Sequence, residues 1–130
     1  MMRFRAFLRS LRNALRGIAV VYRHEQSFRL QLCVTAFVIA FGFLFHVRRS
    51  EWIVLIFLCA MVLGLEMVNS VVERLIDAFK PRLHPLVADA KDIMAGAVLL
   101  VSLGAAAIGL AIFLPRLFFL FGLRFPGILF

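Results

Sequence analysis

The chain has 130 residues, 64% of them hydrophobic and 17% charged, with a mean hydropathy of +1.01. Soluble domains run nearer 45–50% apolar and about 25% charged, so a soluble globular enzyme is excluded, as is a disordered chain, which is poor in apolar residues. The formal charge of +8, from 15 Lys and Arg against 7 Asp and Glu, points on so apolar a chain to loops facing anionic lipid rather than to nucleic acid.

The first segment predicts an amphipathic surface helix over 3–24. Phe4, Phe7, Leu8, Leu11, Leu15, Ile18 and Tyr22 recur at three- and four-residue steps, and Arg5, Arg9, Arg12 and Arg16 take the other face. Such a helix lies in the headgroup plane with its arginines toward phosphates. It has neither the uninterrupted apolar stretch nor the cleavage pattern of a signal peptide.

Three apolar runs follow, over about 30–47, 52–72 and 93–114. A helix of about 20 residues crosses a ~30 Å hydrocarbon core, so these are three transmembrane spans. Gln31, Thr35 and His46 interrupt the first, and Glu66, Asn69 and Ser70 the second. Cys33 and Cys59 sit inside apolar runs and read as small buried hydrophobes. The third span carries Gly96, Ala97, Ser102, Gly104, Ala105, Ala106, Ala107 and Gly109. Small residues four apart let helices approach closely in lipid, and three thin spans call for an oligomer to enclose a polar site. The membrane domain thus runs over 1–115. The tail 116–130 is rich in phenylalanine, is broken by Gly122, Pro126 and Gly127, and is expected to be interfacial.

Basic residues set the orientation. Seven arginines precede the first span, and Arg74, Lys80, Arg82 and Lys91 lie between the second and third, which puts eleven on one side. Arg48, Arg49, Arg116 and Arg124 put four on the other. The N-terminus and the 74–91 connection are therefore expected in the cytoplasm, with the His46–Glu51 turn and the C-terminus outside.

The second span carries the chemistry. Glu66, Asn69, Glu73 and Asp77 are spaced 3, 4 and 4, which is one stripe of a helix. Ionisable groups in a membrane helix are costly and face a partner, an ion or water. Glu66 lies deepest, and a carboxylate held away from bulk water suits a general base. Glu73 and Asp77 are shallower and offer oxygen ligands for Mg²⁺. Glu25, His84, Lys91 and Asp92 gather on the same side, with Lys91 and Asp92 expected to open the third helix, whose amides attract anions. Each has a plainer reading: Glu25 with Arg29 as a helical i,i+4 pair, Asp92 as a cap, His84 as a turn residue. There is no G-x-x-x-x-G-K loop, H-E-x-x-H helix or G-x-S-x-G elbow. Residues alone leave two classes open, an enzyme binding Mg²⁺ and an anion, and a proton- or cation-coupled transporter using Glu66, Glu73 and Asp77.

The run Glu66-Met-Val-Asn69-Ser-Val-Val-Glu73-Arg-Leu-Ile-Asp77, then His84-Pro85-Leu86 and Ala90-Lys91-Asp92, resembles the prokaryotic diacylglycerol kinase family, which includes undecaprenol kinases. Its pattern is E-x-x-N-[ST]-x-x-E-x-x-x-D, a short turn with His, then A-K-D. Upstream, Gly17-Ile18 and Glu25-Gln26-Ser27-Phe28-Arg29 are similar to a further family segment. Arg82 and Asn13 stand where many members have Glu and some have Tyr.

The resemblance implies an all-α homotrimer of three-span subunits with a surface helix, in the bacterial cytoplasmic membrane with its site on the cytoplasmic side. It implies transfer of the ATP γ-phosphate to the hydroxyl of a membrane lipid, diacylglycerol or undecaprenol. By position, Glu66 resembles the general base beside the lipid hydroxyl, and Glu25 and Glu73 resemble ligands of Mg²⁺ on ATP. Asn69 resembles an orienting group. Asp77, His84, Lys91 and Asp92 resemble parts of the nucleotide site, and Arg29 would lie near the lipid headgroup. The His84-Pro85-Leu86 turn and the Met94–Val98 run lean toward the undecaprenol branch.

Overall fold

The structure is a computed structural model and describes residues 2–78 and 85–120. Among the described residues it has four helices and no strand: α1 (Met2–His24), α2 (Gln26–Leu44), α3 (Arg49–Ala78) and α4 (Pro85–Leu120). Three of them, α2, α3 and most of α4, are long and apolar enough to cross a membrane. At 1.5 Å per residue α3 is ~45 Å long and α4 ~54 Å, so both outrun a ~30 Å hydrocarbon core and extend into the polar zone.

A single extended residue, Glu25, separates α1 from α2 (φ −102°, ψ 116°). The end of α1 leaves backbone carbonyls without helical partners. Arg29 Nη1 donates to two of them, Tyr22 O at 3.2 Å and Arg23 O at 3.3 Å, and the Nδ1 of His24 lies 2.8 Å from Val20 O. Positive charge at a helix C-terminus is favourable, so the elbow is held by basic side chains on both sides of it.

The first span was expected to reach Val47, but α2 stops at Leu44. His46 turns left-handed (φ 47°), His46 N–H donates to Phe43 O, and Val47 N–H donates to Gly42 O at 3.1 Å. This is a Schellman closure with histidine where glycine is usual. α3 then starts with Arg48 N–H donating to Glu51 Oε2 at 2.7 Å, the acidic half of a capping box. Across this turn α2 and α3 close tightly. A Cβ on Gly42 would lie 2.6 Å from Cη2 of Trp52. Gly42→Ala is expected to lower stability by about 1–3 kcal/mol through overpacking, read as a lower Tm in detergent; an unchanged Tm would mean that the indole swings aside freely.

α4 also departs from expectation at both ends. It begins at Pro85, eight residues before the predicted span, with proline at the first helical position, where a missing N–H costs nothing. It continues through Pro115 to Leu120, six residues past the predicted span, which ends at 114. Pro115 cannot donate to the preceding turn. The neighbouring Arg116 braces this end of the helix: Nη1 donates to Ile112 O, and Nη2 pairs with Glu51 Oε2 at 2.6 Å across to α3. Phe41, Phe45 and Phe113 pack together at the same end, with the Phe113 centroid 6.2 Å from each of the other two, edge-on to Phe41 and tilted to Phe45.

Few side chains are buried. Among the described residues the buried apolar side chains are Val21, Phe28, Val47, Leu55 and Ile76, and the buried polar ones are Glu66 and Ser70. Large apolar side chains such as Phe37, Phe57, Ile93 and Leu100 face outward along α2, α3 and α4. So much exposed apolar surface is what a lipid solvent requires. Cys33 is also exposed and Cys59 half-buried, so Cys33 is not the buried filler expected of it.

Candidate active site

α3 presents its polar stripe to the start of α2. Glu66 is 4% exposed, and both of its oxygens accept from α2: Ser27 Oγ donates to Oε1, and Gln31 Nε2 approaches Oε2 at 3.4 Å. Ser27 and Gln31 are four apart and so share a face. One turn along α3, Asn69 has its Oδ1 shut off from solvent with no donor, as is Gln31 Oε1 beside Glu66. A buried acceptor without a partner is costly, so both are poised to accept from a group entering the site.

One further turn out lies a second cluster. Glu25 occupies the N-cap position of α2 but makes no side-chain cap bond there. Its carboxylate reaches α3 instead, where Ser70 Oγ donates to Oε1 at 3.0 Å and Arg74 Nη2 pairs with the same oxygen at 3.3 Å. Arg74 Nε also donates to Ser70 Oγ at 3.3 Å. Ser70, 2% exposed, therefore locks Glu25 and Arg74 together. Glu73 pairs with Lys91 of α4 at 3.6 Å. A cleft of about 630 Å³ opens between α1 and α3, with Asn13, Arg16 and Gly17 on one wall and Ser70 and Arg74 on the other.

Glu25, Glu66, Asn69, Glu73 and Lys91 thus meet along one side of α3. Asp77 is exposed near its end. Asp92 is exposed on α4, and because α4 begins at Pro85, Lys91 and Asp92 are its seventh and eighth residues rather than its opening. Their amides lie inside the helix, so the anion site expected at a helix start is not formed by them. Arg29 is engaged at the α1–α2 elbow. His84 lies outside the described residues. Sequence reasoning gives Ser27, Gln31, Ser70 and Arg74 no place in the site, and Arg74 only a part in the orientation. Their signal was polarity at helical spacing inside apolar stretches.

Among the described residues no three His, Cys, Asp or Glu side chains gather into a metal-holding group. Mg²⁺ bound with a nucleotide does not need such a cage, since it takes one or two carboxylates and completes its shell with phosphates and water. Glu25 and Glu73 are hard oxygen donors, Glu25 being held by Ser70 and Arg74 on either side of Glu73 along α3, and they fit that requirement.

The prokaryotic diacylglycerol kinase family matches residues 12–113 of the sequence. The chain belongs to that family. It is 35% identical over 111 residues to an undecaprenol kinase of Bacillus subtilis, covering 85% of this chain and 90% of that protein. It is 33% identical over 79 residues to a diacylglycerol kinase of Pseudomonas aeruginosa, covering 61% and 64%. It is 32% identical over 109 residues to a diacylglycerol kinase of Synechocystis, covering 83% and 62%. The matched segment of this diacylglycerol kinase family member includes every α2, α3 and α4 side chain of the two clusters and ends just before Pro115 and Arg116.

Proposed function

We infer that this protein is an ATP-dependent lipid kinase that transfers the γ-phosphate of ATP to the hydroxyl of a membrane lipid. The observation that carries the reading is the order of groups along α3 in a member of this family. A buried carboxylate, Glu66, lies beneath two carboxylate–cation pairs, Glu25 with Arg74 and Glu73 with Lys91. The buried group suits the alcohol, and the outer charges suit the phosphates.

In the reaction, Glu66 takes the proton of the lipid hydroxyl as that oxygen attacks the γ-phosphorus. A new O–P bond forms, the bond from the γ-phosphorus to the β–γ bridging oxygen breaks, and ADP leaves with that electron pair. Ser27 and Gln31 hold the Glu66 carboxylate in place, and Asn69 Oδ1 accepts from the entering substrate. Glu25 and Glu73 would hold Mg²⁺, which when bound with ATP neutralises and aligns its phosphates. Lys91 supplies positive charge to the same phosphates, and Asp77, Asp92 and His84 border the nucleotide. Arg29 acts by fixing the elbow on which Glu25 sits. Holding alcohol and ATP on one surface supplies proximity.

The favoured acceptor is undecaprenol, because the similarity to the undecaprenol kinase extends over nearly the whole of both chains. The protein is further proposed to be a homotrimer in the bacterial cytoplasmic membrane. α1 would lie in the headgroup layer, and the site would face the cytoplasm. A cysteine replacing Arg49, in a background without Cys33 and Cys59, should be labelled from outside intact cells; labelling only after permeabilisation would reverse the proposed orientation. Kinase family membership leaves the transporter reading without support. The deciding experiment offers labelled ATP and Mg²⁺ to the purified protein in micelles with undecaprenol or diacylglycerol in turn. Label in the undecaprenol fraction is the expected result. Label only in diacylglycerol would reassign the acceptor, and no transfer to either would reject the kinase reading.

A further inference from the structure

Arg74 has so far been given only as the ion-pair partner of Glu25, yet it is tied into the site by more than that pair. Nη2 lies 3.3 Å from Glu25 Oε1, Nε lies 3.3 Å from Ser70 Oγ, and the side chain lines the cleft between α1 and α3. Ser70 donates to that same Oε1. A divalent cation taken up by Glu25 therefore competes with Arg74 for the carboxylate.

We propose that Arg74 is the internal counter-cation of Glu25 and couples metal binding to nucleotide binding, an inference that rests on Glu25 being a metal ligand. A metal ion that takes Oε1 alone parts Arg74 from Glu25 and leaves the guanidinium, 40% exposed, beside a cleft wall that is mostly apolar, with the cationic Arg16 on the other side. A metal ion arriving with nucleotide parts the same pair but brings phosphate oxygens, which accept charge-assisted, bidentate bonds from arginine. The free carboxylate goes to the metal and the free guanidinium to the phosphates. The formal charges of Glu25 and Arg74 cancel, so the pair attracts neither a bare cation nor a bare nucleotide strongly, and accepts the two together. Couplings between two ligands commonly amount to about 5–150-fold in affinity.

Mn²⁺ replaces Mg²⁺ in the test, so that binding can be counted by electron paramagnetic resonance on the full chain in detergent. Two affinities are measured, for Mn²⁺ alone and for Mn²⁺ with a non-hydrolysable ATP analogue. Arg74→Gln should bind Mn²⁺ alone at least about fivefold tighter and the Mn²⁺–nucleotide complex at least about fivefold weaker, taking the low end of that coupling range. Opposite signs from one substitution are not what a loss of packing produces. Arg74→Lys should fall between, and retention of elution volume on size exclusion shows that each variant is folded. In Arg74→Gln, adding Glu25→Gln should abolish the gain in Mn²⁺ affinity. Unchanged or weaker Mn²⁺ binding in folded Arg74→Gln, with Glu25→Gln alone still weakening the Mn²⁺–nucleotide complex, overturns the counter-cation role and leaves the kinase site standing. If Glu25→Gln alone has no effect on that complex, Glu25 is not a metal ligand and both assignments fall.

Discussion

Replacing Glu66 with glutamine is expected to lower kcat by about 10²–10⁴-fold, the usual contribution of a positioned general base. Glutamine keeps the size and one acceptor oxygen, so Ser27 Oγ retains its bond. The new amide also faces Gln31, whose Oε1 is buried without a donor. An amide N–H can fill that gap, and a neutral group costs less than a carboxylate in a membrane helix. The variant should therefore be at least as stable as the parent, and its loss of rate cannot be put down to unfolding. ATP affinity should hardly change, because the groups assigned to the metal and nucleotide lie about two to three turns away on α3, at the α1–α2 elbow and across on α4. The check is turnover and nucleotide affinity on one preparation, with a melting curve beside them. Near-normal turnover would remove Glu66 as the base. A fall in ATP affinity equal to the fall in rate would make it a metal ligand instead.

The α3 half of this site could be read from spacing alone. Glu66, Asn69 and Glu73 at steps of 3 and 4 must share a face once the segment is helical, and the apolar residues around them made it so. The α2 half could not. Ser27 meets Glu66 across 39 residues and Glu25 meets Ser70 across 45, and no periodicity within one segment fixes which turns of two helices come level. That register depends on the one-residue break at Glu25 and on the close approach of Gly42 to Trp52. Glu25 shows the difficulty clearly. At an N-cap its side chain would ordinarily return to its own helix, and the plainer reading paired it with Arg29. Arg29 is occupied by the carbonyls of α1, so Glu25 turns to Ser70 and Arg74.

The ends of α4 were misjudged for a different reason. Apolar content locates the part of a helix that lies in lipid, not the turns that project beyond it. Residues 85–92 are too polar to count as span, yet Pro85 is a good first residue of a helix. At the other end, the predicted span stops at 114 with the apolar run, yet the helix goes on through Pro115 to Leu120. In a membrane protein proline is tolerated inside a helix where its surroundings hold the segment, and Arg116 ties this end of α4 to α3 through its ion pair with Glu51.

Glu25→Gln and Glu73→Gln are expected to act on nucleotide use rather than on the proton step. Each removes one hard oxygen donor from a site that has two such carboxylates. Losing even a supporting group of a metal site costs 10–100-fold in metal affinity or activity, so each variant should raise the Mg²⁺–ATP concentration needed for half-maximal rate by at least about tenfold. Neither change opens a cavity, since glutamine has nearly the same volume. Glu25→Gln still offers Ser70 an acceptor, and Glu73→Gln gives up only a partly exposed pair with Lys91, of a kind worth about 0–1 kcal/mol. Both should therefore stay folded. At saturating Mg²⁺ and ATP each should recover a larger share of the parent rate than Glu66→Gln does, because the base is intact. Rate against Mg²⁺ and ATP, measured together for the three variants, separates the roles: two curves shifted along the concentration axis and one lowered in height. If both Glu25→Gln and Glu73→Gln keep the parent's Mg²⁺ and ATP dependence, neither carboxylate holds the metal, and the outer cluster of α3 serves only to join the helices.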